Sequence, residues 1–322
     1  MKQFISVKDV PSIQALIDLS LRYKANPLAD QNLGSGKRIG LLFFNPSMRT
    51  RLSTQIAAKN LGLDPIVLNV GQEGWALEFG EGTIMNGTTV EHIKDAAPVL
   101  GSYFDILCLR SFPGLKSLAE DASETPIRSL VKYSGVPVVS LESNLLHPLQ
   151  SLADLVTMTE VLKAKNIKRK PKVVLTWAPH VKAIPHCVAN SFAEWTNAWG
   201  EADFVITHPK GYELQAQFSG SAPIVWDQAE ALADADFVYV KNWSSVSEYG
   251  QILGSHPEWM LTEKSLKDAP LAKVMHCLPL RRNLELSDEV LDGSRSLLTQ
   301  QATNRIYSAQ SVLSQILRSK SG

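Results

Sequence analysis

Cysteine is scarce in this 322-residue chain: Cys108, Cys187 and Cys277 lie far apart, form no CxxC pair and sit in or near apolar stretches. That spacing excludes a disulfide framework and fits a reducing, cytoplasmic setting. An excess of one charge is also missing. Lysine plus arginine equal aspartate plus glutamate at 32 each, so nothing in the overall balance draws nucleic acid or an anionic membrane, and small-molecule partners are expected. No apolar run approaches the ~20 residues that span a bilayer, and the start, Met1-Lys2-Gln3-Phe4, has no signal-peptide core. A soluble protein is expected. No GxGxxG opens a helix after a strand, which removes support for a dinucleotide cofactor. Gly34-Ser35-Gly36-Lys37 looks like the end of a nucleotide-binding loop, yet Arg38 follows where Ser or Thr is needed, and the segment precedes a strand. No internal repeat or low-complexity tract is found.

What is present is a rhythm. Short apolar, β-branched runs alternate with longer amphipathic segments, the pattern of βαβ units and a mostly parallel sheet. Strands are expected near Arg38 to Asn45, Pro65 to Val70, Phe104 to Leu109 and Val136 to Ser140, with helices after Ser47, after Thr88 and from Pro126 to Tyr133. A second series begins after His147: a helix from Gln150 to about Lys165, then strands near Lys172 to Trp177, Phe204 to Thr207, Phe237 to Val240 and Lys273 to His276. The length favours two domains. The fold class is α/β, with two Rossmann-like halves, each a mostly parallel sheet flanked by helices. Thr303 to Leu317 is an amphipathic closing segment, and the basic stretch Lys163 to Lys172 is read as a solvated loop.

The most informative stretch is Leu41-Leu42-Phe43-Phe44-Asn45-Pro46-Ser47-Met48-Arg49-Thr50-Arg51, an apolar strand running into a polar turn and a helix. Backbone N–H groups of a first helical turn lack intrahelical partners and carry the positive end of the dipole, so they suit phosphate oxygens. Ser47 and Thr50 add hydroxyls. Arg49 and Arg51 are two apart and cannot point the same way on a helix; Arg49 is expected to grip a ligand and Arg51 to pack or form ion pairs. A capped helix with a solvated basic turn explains the same string.

Ser47-Met48-Arg49-Thr50-Arg51, His147-Pro148-Leu149-Gln150 and His276-Cys277-Leu278-Pro279, in that order, resemble the signature set of the aspartate and ornithine transcarbamylase family. The resemblance covers essentially the full length, and HCLP points to the ornithine branch. It implies a carbamoyl phosphate domain first (1–144 plus 303–322), an amino-acid domain second (145–302), a C-terminal helix returning to the first, and a homotrimer with shared active sites. The match to plain ornithine enzymes breaks where their DxxxSMG-type loop holds the free α-ammonium. Here the segment reads Tyr239-Val240-Lys241-Asn242-Trp243. A lysine repels an ammonium but suits a substrate whose α-amine is acylated. This is similar to the N-acylornithine transcarbamylases, as are Trp75 in Gly74-Trp75-Ala76, Glu142, and Trp177-Ala178-Pro179-His180.

The resemblance implies roles. Ser47, Met48, Arg49, Thr50, Arg110 and Arg305 hold the phosphate; Thr50, Arg110 and His147 face the carbonyl oxygen; Gln150 takes the carbamoyl amide. Trp75 reaches a neighbouring subunit's site, where the bland reading is a buried tryptophan. Cys277 and the Leu278 carbonyl orient the attacking amine. Glu142, His180, Lys241, Leu278 and Arg281 bind the acylornithine; Glu142 could instead cap a turn, and of the adjacent Arg281 and Arg282 at least one should form structural ion pairs. Val90 stands where acetyl enzymes carry Glu and succinyl enzymes Pro; it removes a repulsion without adding a positive partner. Asn190 to Trp195 and Trp177 to His180 look more like the succinyl members, so N2-succinyl-L-ornithine is favoured over the N-acetyl compound. A covalent cysteine is disfavoured because His276 and Cys277, neighbours in a strand-like run, face opposite ways; no metal is expected, since a lone His-Cys step lacks further ligands. His92, His186, His208 and His256 are read as surface or packing residues. The rivals are a plain ornithine or aspartate carbamoyltransferase and a non-catalytic sensor of carbamoyl phosphate or an arginine precursor.

Overall fold

After Arg38 the run to Phe43 is uncharged and buried throughout, as a strand covered on both faces must be. In the computed structural model, which describes residues 1–320, it is the second of seven strands in the first of two compact units. That unit comprises Met1–Gly114, Ala119–Leu149 and the chain from Arg305 onward. Its strands are β1 (Gln3–Phe4), β2 (Arg38–Phe43), β3 (Asp64–Asn69), β4 (Leu77–Glu78), β5 (Glu91–His92), β6 (Ile106–Arg110) and β7 (Val138–Glu142). Five form a wholly parallel sheet in the order β1-β7-β6-β2-β3, and β4 pairs with β5 as a separate ribbon. The register sets Phe43 opposite Arg110 and, past an irregularity at Leu109/Arg110, Arg110 opposite Glu142. The carboxyl ends of β2, β6 and β7 are thus level, the position where open α/β sheets bind ligands.

Helix Ile93–Tyr103 lies close on the segment after helix Thr125–Tyr133: a Cβ at Gly101 would meet the Ser134 carbonyl oxygen at 1.8 Å. Only glycine permits that approach. From Arg305 the last helix, Leu298–Lys320, belongs to this unit: Ser20 Oγ donates to Ser311 Oγ at 2.9 Å and Asn60 Nδ2 to Gln310 Oε1 at 3.0 Å.

The second unit, Leu115–Leu118 with Gln150–Asn304, carries β8 (Lys172–Trp177), β9 (Asp203–Thr207), β10 (Phe237–Lys241) and β11 (Lys273–Met275), parallel in the order β11-β10-β8-β9. Val174, Val238, Val240 and Val274 belong to one buried cluster with Leu261, Leu266 and Leu286.

The expected strands are all found, with ends shifted by one or two residues; β2 stops at Phe43 because Asn45 and Pro46 begin the turn. The closing helix starts at Leu298 rather than Thr303. Besides several helices of four or five residues, two long ones escaped the sequence reading. Ile13–Ala25 is capped by Ser12 Oγ, which accepts from Ala15 N; Cys187–Trp199 buries most of its residues, Asn190, Ser191 and Thr196 among them, so its polar positions do not mark a solvent face. The basic loop is exposed yet engaged: Arg169 forks onto Asp236 at 2.7 and 2.8 Å, and Lys170 Nζ donates to Gly200 O at 2.7 Å.

Candidate active site

In the first unit the polar groups sit just past the carboxyl ends of β2, β6 and β7. Ser47 is the N-cap of helix Met48–Asn60, its Oγ accepting from Thr50 N at 3.3 Å. The first turn of a helix is where backbone N–H groups suit an anion. Arg51 Nη1 donates to Asn69 Oδ1 at 3.2 Å, which makes it the packing member of the pair; Arg49 is half-buried. Arg110 fastens the turn before the helix. Its Nη1 donates to the carbonyls of Asn45 (2.9 Å) and Pro46 (2.8 Å), while Nε and Nη2 hold Glu142 Oε2 at 3.1 and 3.0 Å. A guanidinium has five N–H groups, so one Nη2 hydrogen is left for a ligand. Glu142 is therefore locked onto Arg110 within this unit.

Arg305 Nη2 donates to Thr50 Oγ1 at 2.6 Å and lies 3.4 Å from His147 Nε2. Both contacts orient protons. The Thr50 hydroxyl, accepting from Arg305, keeps its own hydrogen for another acceptor. Burial, with the Arg305 and Arg110 guanidiniums beside it, holds the His147 imidazole well below its ordinary range, so the ring is neutral. Because a guanidinium can only donate, Nε2 is the acceptor and Nδ1 carries the proton, buried with no hydrogen-bond partner among the described residues. Trp75 is not the ordinary buried tryptophan: 57% of it is exposed, and its Nε1 donates to Glu91 Oε2 at 2.7 Å. Val90 is exposed beside it, its N–H bonded to Ala76 O at 2.9 Å.

The second unit gathers its polar groups past β8, β10 and β11. The ends of β8 and β10 are buttoned together: Ala178 N donates to Lys241 O (3.2 Å), Asn242 Nδ2 to Ala178 O (2.6 Å), and Trp177 Nε1 to Trp243 O (2.8 Å). Trp243 Nε1 in turn donates to Tyr212 O at 2.7 Å. This lattice brings His180 and Lys241 into one electrostatic group with Glu285 and Arg281. Lys241 is buried at the end of β10. Burial pushes the Glu285 carboxyl up, but the hydrogen bond from His276, the nearby Lys241 and the Arg281 N–H (2.7 Å) outweigh it and hold it at about 2. Burial likewise pushes His180 down. Arg282 is spent on Asp288 and Asp292, which makes it the ion-paired member of two adjacent exposed arginines.

His276 Nδ1 accepts from Leu278 N at 2.9 Å and its Nε2 lies 3.4 Å from Glu285 Oε1. The imidazole is thus committed to Leu278 and Glu285 rather than to Cys277, which is buried and in no disulfide. That bond holds Leu278 at φ 56, a left-handed conformation that costs a non-glycine residue roughly 1–2 kcal/mol. Gln150 Nε2 donates to Asp154 Oδ1 at 2.8 Å. His186 Nε2 meets Ser244 O at 2.6 Å and His208 packs on Trp226, packing roles both.

Comparison with known proteins completes the picture. Residues 2–160 match the family model described as "Aspartate/ornithine carbamoyltransferase, carbamoyl-P binding domain", and residues 186–316 match its "Asp/Orn binding domain". The chain belongs to the aspartate/ornithine carbamoyltransferase family. Within it, the N-succinylornithine carbamoyltransferase of Bacteroides thetaiotaomicron is 43% identical over 319 residues, 98% of this chain and 99% of that one. The N-acetylornithine carbamoyltransferase of Xanthomonas campestris is 32% identical over 336 residues, 98% of each. A crystal structure of an N-acetyl-L-ornithine transcarbamylase mutant complexed with carbamyl phosphate and N-succinyl-L-norvaline superposes with a TM-score of 0.91 at 31% identity, covering 98% of this chain and 100% of that one.

For this family member, reading the motifs alone missed Glu285, Asp154 and Tyr239. Asp154 had a signal, lying one helical turn after Gln150. Glu285 and Tyr239 had none. Glu285 is a lone acid in a polar loop until the fold buries it, and the Tyr239 hydroxyl meets Asp154 and Cys277 only in the folded unit.

Proposed function

We propose that this chain transfers the carbamoyl group of carbamoyl phosphate to the side-chain amine of N2-succinyl-L-ornithine, giving N2-succinyl-L-citrulline and phosphate in arginine biosynthesis. The observation that carries the reading is Lys241, a buried cation where a plain ornithine enzyme needs an anion for the α-ammonium. It suits a substrate that presents an acylated nitrogen and carboxylates. The succinyl group is supported by the 43% identity to the succinylornithine enzyme against 32% to the acetylornithine one, and by Val90, which sets no charge against a second carboxylate.

In this mechanism the turn Ser47 to Thr50, through its N–H groups and Arg49, holds the phosphate with Arg305 and the remaining Nη2 hydrogen of Arg110. Trp75 is supplied by a neighbouring copy. Thr50, Arg110 and the Nδ1–H of His147 face the carbonyl oxygen, where negative charge develops as the amine nitrogen bonds to the carbonyl carbon. Gln150 binds the carbamoyl amide. Cys277 and the Leu278 carbonyl orient the amine, the C–O bond to phosphate breaks, and the departing phosphate takes the amine proton. Glu142, His180, Lys241, Arg281 and Val90 bind the acylornithine. The first unit is the carbamoyl phosphate domain and the second the acylornithine domain.

A homotrimer with shared active sites is part of the proposal. Met48, Leu52 and Ile56 form an exposed apolar stripe at one-turn spacing on helix Met48–Asn60, and Trp75 is exposed in the same unit. Such a face suits a second copy of the chain. No helix among the described residues is long and apolar enough to cross a membrane, and three cysteines in no disulfide suit a cytoplasmic setting.

The test is phosphate release from carbamoyl phosphate with ornithine, N-acetylornithine and N-succinylornithine side by side. Turnover confined to the succinyl compound supports the proposal, acetyl-only turnover replaces its acyl group, and silence with all three would favour a sensor.

A further inference from the structure

Two buried groups of the second unit have no part in the roles above: the Asp154 carboxylate and the Gln301 carboxamide. Asp154 follows Gln150 by one turn of helix Pro148–Ala164, so both project from one face. Its Oδ1 accepts from Gln150 Nε2 at 2.8 Å and from Gln301 Nε2 at 2.7 Å, while Gln301 Oε1 accepts from the backbone N–H of His276 at 2.9 Å. A carboxylate can only accept, whereas a carboxamide offers NH2 on one side and oxygen on the other. The contact therefore decides which end of Gln150 faces Asp154. Its Oε1 is turned away, buried with no hydrogen-bond partner among the described residues. A buried acceptor left in that state is unfavourable unless a ligand N–H completes it.

We infer that Asp154 is a positioning residue for carbamoyl transfer: by anchoring Gln150 Nε2 it makes Gln150 present an acceptor, never a donor, to the NH2 group of carbamoyl phosphate. This role presupposes that Gln150 takes the carbamoyl amide. Without the anchor the amide can turn by half a rotation and set NH2 against NH2. Gln301 shares the same carboxylate oxygen and holds the backbone at His276, so Asp154 also ties the Gln150 turn to the segment that carries Cys277.

Acetyl phosphate carries a methyl where carbamoyl phosphate carries NH2, so the ratio of the two dissociation constants reads this contact alone. A loss of stability would weaken both ligands equally. The ratio is to be measured by calorimetry, with thermal melts, for the wild-type chain, Gln150→Met, Asp154→Leu and Asp154→Asn. Asp154→Leu is expected to cut the preference for carbamoyl phosphate about ten-fold or more, leaving acetyl phosphate within about two-fold, because a site's unpaired polar group is what rejects an analogue lacking the donor. Asp154→Asn, whose Oδ1 can take both glutamine donors, should stay within about three-fold of wild type. Equal weakening of both ligands in Asp154→Leu, or an Asp154→Asn as defective as Asp154→Leu, overturns the inference. Should Asp154→Leu fail to fold, the smaller Asp154→Ser reads the same ratio. An unchanged ratio in Gln150→Met means that the reading of Gln150 has itself failed; a collapsed ratio there with an intact one in Asp154→Leu sinks the positioning role alone.

Discussion

At the scale of single residues the chain separates charges that bind from charges that build. Arg110 and Arg282 are largely taken up by partners of their own unit, and Arg51 reaches back to Asn69. Arg49→Ala is expected to lower kcat/KM by roughly a hundred- to a thousand-fold with an unchanged melt, since it removes charge stabilisation from the transition state. Near-normal turnover would remove Arg49 from the machinery. Lys241→Met should raise the acylornithine KM about ten-fold or more and leave the affinity for carbamoyl phosphate alone; a KM that does not move would mean that the cation serves packing only. These residues were legible because they lie in contiguous motifs. Glu285 was not, because Lys241 reaches it from a distant strand and only the folded loop sets His276 and the Arg281 N–H against it.

At the scale of elements, both units use the carboxyl ends of parallel strands, and what distinguishes them is how those ends are stiffened. The first unit uses ions: Arg110 on β6 grips Glu142 on β7 and the carbonyls that follow β2. The second uses tryptophans, with Trp177 at the end of β8 donating to Trp243 just past β10. Trp177→Phe should cost about 0.5–1.5 kcal/mol for that hydrogen bond, measurable by urea unfolding. It should also raise the acylornithine KM about three-fold or more, because Lys241 and His180 ride on the two segments it joins. Full stability with an unchanged KM would refute the coupling. The strands were readable from apolar runs; helices as short as Ala216–Ser219 and Gln228–Leu232 were not, since four or five residues barely complete one turn of the helical period.

At the scale of the whole molecule, buried titratable groups predict an acid limb. His147 and His208 are both held below the ordinary 6.5, each by burial first. Between the folded and unfolded pKa the unfolded chain binds more protons, so their contribution is fully present above 6.5 and is lost as pH falls through the folded value. Glu285, at about 2 against an ordinary 4.5, adds a second loss that begins only below 4.5. Melting temperature should therefore fall between pH 7 and 5, and His147→Asn should flatten the slope; identical slopes would show that His147 is not the sensor. For the assembly, Leu52→Glu with Ile56→Glu is expected to shift sedimentation from trimer to monomer and to abolish turnover by withholding Trp75 from the neighbouring site. An unaltered sedimentation coefficient would place the contact elsewhere.

The sequence by itself determined what depends on local order: the α/β class from its apolar runs, the phosphate-binding turn from a strand leading into a capped helix, and the family from three short motifs. Tertiary structure alone decided what depends on distant groups meeting. It made His147 neutral by setting Arg305 and Arg110 beside it, chose between Arg281 and Arg282 by giving one of them two aspartates, and turned the Gln150 amide by burying Asp154. A protonation state, an ion pair or an amide orientation is a free-energy difference set by every charge and dipole nearby, and those neighbours are assembled only when the chain folds.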